Sequence, residues 1–251
     1  MKINILTIFP EMIENFFRES IIRRACDKGI ISVNTVNIRD FSFNKHNRVD
    51  DYPFGGDFGM LFRAEPVIHA YESLCENGKK PFCIMMSPKG MKFDQKIAEE
   101  LSKKENLAII CGHYEGIDER AAHNICDLEL SIGDYVLTGG ELGAAVVSDA
   151  VLRLIPGVLS EDGSTKNESH QAGLLEYPQY TRPAKCEYGE VPEVLLSGHH
   201  KNIEAYRREQ SIMSTLAKRE DMFSDIAFTK KDIEYLNHIK EKIEEVTNDN
   251  N

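Results

Sequence analysis

The chain has 251 residues, 41% of them hydrophobic and 28% charged. That length holds one or two domains, and that share of apolar side chains builds a core, which excludes a wholly disordered chain. Lys and Arg number 30 against 41 Asp and Glu, for a net charge of -11. Bulk charge therefore does not hold this protein to nucleic acid, and any such partner must be met by a local basic patch.

No stretch approaches the ~18 uninterrupted apolar residues of a membrane helix, so no membrane partner is expected. The apolar run from Met1 to Glu11 is broken by Asn4, Thr7 and Pro10. It reads as a first strand rather than a signal peptide. The cysteines Cys26, Cys75, Cys83, Cys111, Cys126 and Cys186 are scattered without a C-x-x-C, the pattern of reduced thiols in a cytoplasmic protein. Charge is uneven: residues 1–80 hold 11 basic and 11 acidic residues, whereas residues 161–251 hold 12 and 18. The near-neutral first third, with Arg39, Lys45, His46 and Arg48, repels a polyanion least.

In chain order, period-2 and apolar runs predict strands at 3–9, 32–38, 82–86, 107–111 and 128–130. Helical periodicity predicts helices at 11–17, 21–28, 66–75, 94–101, 118–124 and 139–155. This alternation argues for an α/β fold with a mostly parallel sheet. For the last helix, Thr138 and Glu141 form a T-x-x-E capping box. Leu142, Val146, Ala150, Val151, Leu154 and Ile155 make its apolar stripe, and Pro156-Gly157 stops it. Residues 160–171 contain no apolar side chain and read as a linker. Helical patterns at 201–218 and 229–246 then predict a small helical C-terminal domain. The expected boundaries are 1–159, a linker at 160–172, and 173–251.

Three of the predicted strands run directly into small-residue loops: Ser87-Pro88-Lys89-Gly90, Gly112-His113-Tyr114-Glu115-Gly116, and Ser131 through Gly140. Ligands of open α/β sheets bind at the carboxyl ends of strands. Each loop alone is explained by a tight turn; three within about 60 residues favour a nucleotide-like ligand. The phosphate motifs G-x-x-x-x-G-K-[ST] and G-x-G-x-x-G are absent, which disfavours ATP, NAD and a Rossmann-type oxidoreductase. An adenosine without phosphate, such as S-adenosylmethionine, fits better. Cys111, His113, His123 and Cys126 can be drawn as a zinc set, but they fall on different elements and no structural metal is expected.

Six motifs carry a resemblance over essentially the whole chain. They are Ile8-Phe9-Pro10-Glu11-Met12, the run Arg48 to Gly56 (RVDDYPFGG), the run Cys111 to Arg120 (CGHYEGIDER), the run Ser131 to Leu142 (SIGDYVLTGGEL), Ile155 to Leu159 (IPGVL), and Tyr180-Thr181-Arg182-Pro183. On these the chain resembles the bacterial tRNA (guanine-N(1))-methyltransferases, the TrmD family of the SPOUT superfamily. The resemblance implies a SPOUT-type sheet with a deep trefoil knot, a homodimer, and a helical C-terminal domain that binds tRNA.

It also implies methyl transfer from S-adenosylmethionine to N(1) of the guanosine just 3′ of the anticodon, at tRNA position 37. The anticodon arm would be the partner, with no DNA partner. The cofactor set carried over is Ser87, Gly112, Glu115, Gly116, Ile132, Gly133, Asp134, Tyr135, Val136, Leu137, Gly139 and Gly140. The catalytic pair carried over is Arg153 and Glu168, and the RNA-binding set is Asp50, Gly59, Arg182 and His199. Further phosphate candidates, read from their charge, are Arg23, Arg24, Arg39, Lys45, Arg48, Lys201, Arg207 and Arg208. A magnesium-dependent reaction is implied too, without a carboxylate cage visible in the sequence.

The chain departs from the family pattern in places. Glu168 stands where the family has Asp, His170 where it has an aromatic, and Gly143 where it often has Pro. Asp57-Phe58 interrupts a glycine-rich run. Three outcomes follow for the acid: Glu168 is the base, a neighbour such as Asp162 substitutes, or activity is weak. The alternative reading is accordingly a catalytically weakened RNA-binding protein with the same fold.

Overall fold

The computed structural model describes residues 1–43, 46–56, 58–159, 168–171 and 173–248. Most of the expected linker lies outside these residues, as do Lys45, Asp57 and Asp162. The chain forms two compact units, Met1–Asp162 and Gly163–Asn251.

The first unit runs β1 (Lys2–Thr7), α1 (Pro10–Phe17), α2 (Ser20–Asp27), β2 (Ser32–Asn37), β3 (Asp50–Asp51), β4 (Leu61–Phe62), α3 (Ala64–Glu72), β5 (Phe82–Lys92), α4 (Gln95–Ser102), β6 (Asn106–Cys111), α5 (Glu119–Ile125), β7 (Leu128–Ser131) and α6 (Glu141–Leu152). Five strands form one sheet in the order β2-β1-β6-β5-β7, with every pairing parallel. The α/β class and parallel sheet read from the sequence are thus present. Helices cover both faces, and the central strand shows why. In β6, Leu107, Ile109 and Cys111 join one core with Ile3, Ile5, Ala144 and Val151. Ala108 and Ile110 join the other, with Leu6, Met85, Phe62 and Val67. A strand buried on both faces reads as an unbroken apolar run.

Two local expectations are corrected. The strand at 82–86 does not end in a loop at Ser87: β5 continues to Lys92, with a register shift between Met86 and Met91 against β7. A bulge absorbs the polar residues without ending the pairing. The capping box at α6 does not form either. Gly140 occupies the N-cap with no side-chain hydrogen bond, because the Glu141 carboxylate turns inward to Thr7 and His113.

The apolar stripe of α6 is also rotated from the expected one. Its buried face is the small-residue side, Gly143, Ala144, Ala145, Val147, Ser148, Val151 and Leu152. Leu142 and Val146 are 54% and 48% exposed. Small side chains let the helix lie close on the sheet, and the longer ones are left outside. The helix stops at Leu152, with Arg153 in the C-cap, ahead of Pro156-Gly157.

The second unit contains a short antiparallel hairpin, β8 (Lys185–Cys186) and β9 (Gly189–Glu190), followed by α7 (Glu193–Leu196), α8 (His200–Lys218) and α9 (Lys230–Asn248). Leu174 and Ile212 are buried in it. A reciprocal cap does form here. Asp232 Oδ2 accepts from the Thr229 amide at 2.8 Å, and Thr229 Oγ1 accepts from the Asp232 amide at 3.2 Å. Arg208 donates to the same carboxylate through Nε at 3.1 Å and Nη2 at 3.0 Å. This phosphate candidate is therefore engaged in joining α8 to α9.

The Arg208 hydrogen bonds, helped by Thr229, hold the Asp232 carboxyl down to about 2. A folded-state value below the ordinary ~3.9 stabilises above that value and loses the stabilisation as pH falls through the folded value. Asp232→Asn is expected to cost the second unit about 1–2 kcal/mol at pH 7, a figure held down by the partly exposed Arg208. The gap from wild type should close between about pH 4 and pH 2. Denaturant unfolding of the full chain, followed by exchange at α8 and α9 amides, measures both.

Candidate functional site

The carboxyl ends of β6 and β7 and the middle of β5, Met85 to Lys89, surround a cavity of about 530 Å3. Most of its wall comes from the three segments singled out in the sequence, with Leu61, Glu119 and Gly143 added from outside them. Ser87 stands on the β5 side, and Gly112, Glu115 and Gly116 follow β6. Ile132, Gly133, Tyr135, Val136, Leu137, Gly139 and Gly140 follow β7. Asp134 is the one member of the expected cofactor set outside this wall; it is exposed and pairs with Lys92 at 3.5 Å.

Backbone contacts hold the walls in place. The Gly112–Gly116 loop is tied on one side to the 60–62 segment: Glu115 N–H donates to Met60 C=O at 3.0 Å, and Phe62 N–H to Gly116 C=O at 3.0 Å. On the other side Gly140 N–H donates to Gly112 C=O at 2.9 Å. That last contact explains a glycine. A Cβ on Gly140 would stand 2.7 Å from Cys111 Cα, inside van der Waals contact. Tyr114 is held at φ +60 in the same loop, a left-handed conformation uncommon for such a side chain and kept only where surroundings fix it.

Beneath the walls lies a buried polar chain that the sequence reading did not identify. Thr7 Oγ1 donates to Glu141 Oε1 at 2.5 Å, and Glu141 Oε2 meets His113 Nε2 at 2.7 Å. Thr7 Oγ1 also accepts from the Phe9 amide at 2.9 Å, and the Phe9 ring stands edge-on to His113 at 4.9 Å. Thr7 in an apolar strand was the available signal, but its partner is 134 residues away. Next to this chain, complete burial and then the Glu141 charge push the Cys111 thiol well above its usual value, so Cys111 serves as packing rather than as a nucleophile.

The remaining candidates are placed as follows. Asp50 pairs with Phe62 across β3 and β4. Gly59 abuts the Glu115 side chain, with room for a Cβ taken by Glu115 Cγ at 2.6 Å, so this RNA candidate borders the pocket wall. Arg153 caps α6, its amide bonded to Asp149 C=O at 3.1 Å. In the second unit Glu168 is half-buried and opens a turn, its carbonyl accepting from the Gln171 amide at 3.2 Å. Arg182 and His199 are exposed there, the latter at the N-cap of α8. Arg207 lies 4.8 Å over the Tyr177 ring.

Parallel strands covered on both faces, with a glycine-lined cavity where β6 and β7 end, define an α/β protein with a ligand-sized site at the sheet's edge. A family model described as tRNA (Guanine-1)-methyltransferase TrmD matches residues 1–225. A tRNA (guanine-N(1)-)-methyltransferase of Ruminiclostridium cellulolyticum is 57% identical over 227 residues, 90% of this chain and 97% of that protein. Proteins of the same name from Carboxydothermus hydrogenoformans and Staphylococcus epidermidis are 53% and 51% identical, over 92% and 97% of this chain and 91% and 99% of their own. The chain belongs to the TrmD tRNA (guanine-1)-methyltransferase family.

Proposed function

We propose that this protein transfers a methyl group from S-adenosylmethionine to N(1) of the guanosine immediately 3′ of the anticodon, tRNA position 37. The observation that carries the chemistry is the cavity at the strand ends, and the names of the relatives carry the acceptor. The weakened-enzyme alternative finds no support in them.

The cavity suits a cofactor with adenosine and no phosphate. Its wall carries Glu115, Glu119 and Glu129, with Lys89 as its fixed cation among the described residues. Backbone groups of Gly112, Ile132, Gly133, Leu137 and Gly140 would hold the cofactor, and Glu115 is the wall carboxylate suited to its hydroxyl or ammonium groups. When bound, the cofactor supplies a methyl group on a positively charged sulfur. N(1) of neutral guanine carries a proton, so attack through that nitrogen needs a base. Glu168 takes the proton. Charge then gathers at O(6), where Arg153 stabilises it. Magnesium is part of the family expectation, but among the described residues no cluster of three His, Cys, Asp or Glu side chains is arranged to hold a metal, and no step here uses it.

The proposal extends to architecture. Residues 1–159 serve the cofactor, 173–251 the tRNA, and 160–172 join them. A SPOUT-type trefoil knot is supported by the return of the chain after β7 to the Gly112 loop before α6 lies back across the sheet. A homodimer is supported by exposed apolar pairs at helical spacing, Met12 with Phe16 on α1 and Leu142 with Val146 on the adjoining α6. Such a patch marks an interface. Leu142→Glu is expected to convert a dimer to a monomer in sedimentation equilibrium; an unchanged mass moves the interface elsewhere. Among the described residues no helix is long and apolar enough to cross a membrane, and a cytoplasmic site of action accords with the free thiols.

The test is incubation with isotopically labelled S-adenosylmethionine and a tRNA transcript, followed by nucleoside mapping by mass spectrometry. Label at N(1) of guanosine 37 is expected. Binding of tRNA with no transfer would revive the alternative.

A further inference from the structure

We infer that His113 is a positioning residue for the cofactor: its Nε2 bond to Glu141 pins the crossing of the 111–116 and 133–140 segments. This rests on the reading of the cavity as the S-adenosylmethionine site. Three elements meet at this point. Thr7 ends β1, His113 follows β6, and Glu141 opens α6. None of the three takes part in the methyl transfer described above.

The geometry is that of a clamp. Both oxygens of the Glu141 carboxylate are used, one by Thr7 at 2.5 Å and one by His113 at 2.7 Å. The Glu141 and His113 side chains are only 2% and 16% exposed, so water does not readily replace a lost bond. The position of Glu141 in the first turn of α6 adds the favourable end of the helix dipole. A carboxylate accepts, so Nε2 carries the hydrogen, and the tautomer of the ring is set by this bond.

The ring stands against the cofactor wall. His113 pairs with Gly139 as an isolated bridge. A Cβ on Gly139 would meet His113 Cε1 at 2.2 Å and Glu141 Oε2 at 2.5 Å. One residue on, Gly140 N–H closes on Gly112 C=O. Loss of the imidazole therefore leaves the Gly139-Gly140 strand without the ring it packs on and Glu141 with an unmatched oxygen. The two cofactor loops are then joined by their backbone bonds alone, which open more readily.

Three variants separate this role from bulk or from a direct ring contact. Gln places an amide nitrogen near the position of Nε2 and can keep the Glu141 bond. Asn reaches only the position of Nδ1, and Ala reaches neither. The readouts are cofactor affinity by calorimetry, tRNA affinity, and hydrogen exchange at the Gly140 amide. His113→Ala and His113→Asn are expected to weaken S-adenosylmethionine binding about tenfold or more and to lose protection at Gly140, with tRNA affinity unchanged. His113→Gln should restore both to near wild type. If Gln is no better than Asn, or if His113→Ala leaves cofactor affinity and Gly140 exchange unaltered, the inference fails alone. A wild-type protein that gives no heat with S-adenosylmethionine overturns the cofactor reading and this inference with it.

Discussion

Glu168→Gln is expected to lower methyl-transfer turnover by about 10²–10⁴-fold, the range for loss of a positioned general base. Gln matches Glu in size and keeps its hydrogen-bonding oxygen, but it does not accept a proton from N(1) of guanine. Cofactor affinity should stay within about twofold, because every residue lining the cavity proposed for the cofactor falls between Leu61 and Gly143, in the first unit. Single-turnover kinetics with saturating tRNA, paired with calorimetry for S-adenosylmethionine, separate the two quantities. Glu168→Asp, which restores the family's acid, is expected to keep turnover near wild type. Unchanged turnover in the Gln variant would remove Glu168 from the mechanism and leave Asp162 as the next acid to test. Arg153→Ala should cost a comparable factor through loss of charge stabilisation at O(6).

The sheet and its ligand end were legible because they are written in local pattern. β6 is an apolar run bounded by polar residues, and its observed span Asn106–Cys111 differs from the expected one by a single residue. The loops after β6 and β7 could be found because glycines cluster where those strands end, whereas Gly90 lies within β5. The features that stayed hidden are those in which a distant partner decides. Thr138 and Glu141 satisfy the local rule for a capping box, yet Glu141 is claimed by Thr7 and His113. Thr229 and Asp232 satisfy the same kind of rule, and there the cap forms. The local difference is the Gly139-Gly140 pair, which stands where Thr229 is followed by Lys230-Lys231, and Gly140 takes the N-cap of α6. The apolar face of α6 differs from the sequence pattern for a related reason: periodicity places the large residues inside, whereas close packing against the sheet selects Ala144, Ala145 and Ser148 and leaves Leu142 and Val146 for solvent or a second chain. The roles proposed for Glu168 and Arg153 rest on residue type and the resemblance, since Glu168 carries no local pattern that separates a base from a solvated acid.

Gly140→Ala is the second substitution expected to have a large effect, and Gly143→Ala supplies its control. The added methyl at Gly140 would lie 2.7 Å from Cys111 Cα, 3.1 Å from Cys111 Cβ and 3.1 Å from the Gly112 nitrogen. Cys111 is fully buried at the end of the central strand β6 and has nowhere to move. The segment 139–140 must back away instead, and the Gly140 N–H to Gly112 C=O bond opens with it. Overpacking of this kind costs about 1–3 kcal/mol. It also separates the two loops that would grip the cofactor, so affinity for S-adenosylmethionine should fall more than tenfold.

At Gly143 the nearest atom to an added Cβ is Met86 Cε at 2.8 Å, and the next contacts are at 3.9 Å. A terminal thioether methyl swings aside at small cost, so Gly143→Ala should bind the cofactor within about threefold of wild type, and the better helix propensity of Ala offsets part of the crowding. Thermal denaturation and calorimetry on the two variants give the comparison. Equal losses at both positions would mean that crowding anywhere near the cavity is enough. A harmless Gly140→Ala would mean that the contact between the 112 and 140 loops does not set the shape of the pocket.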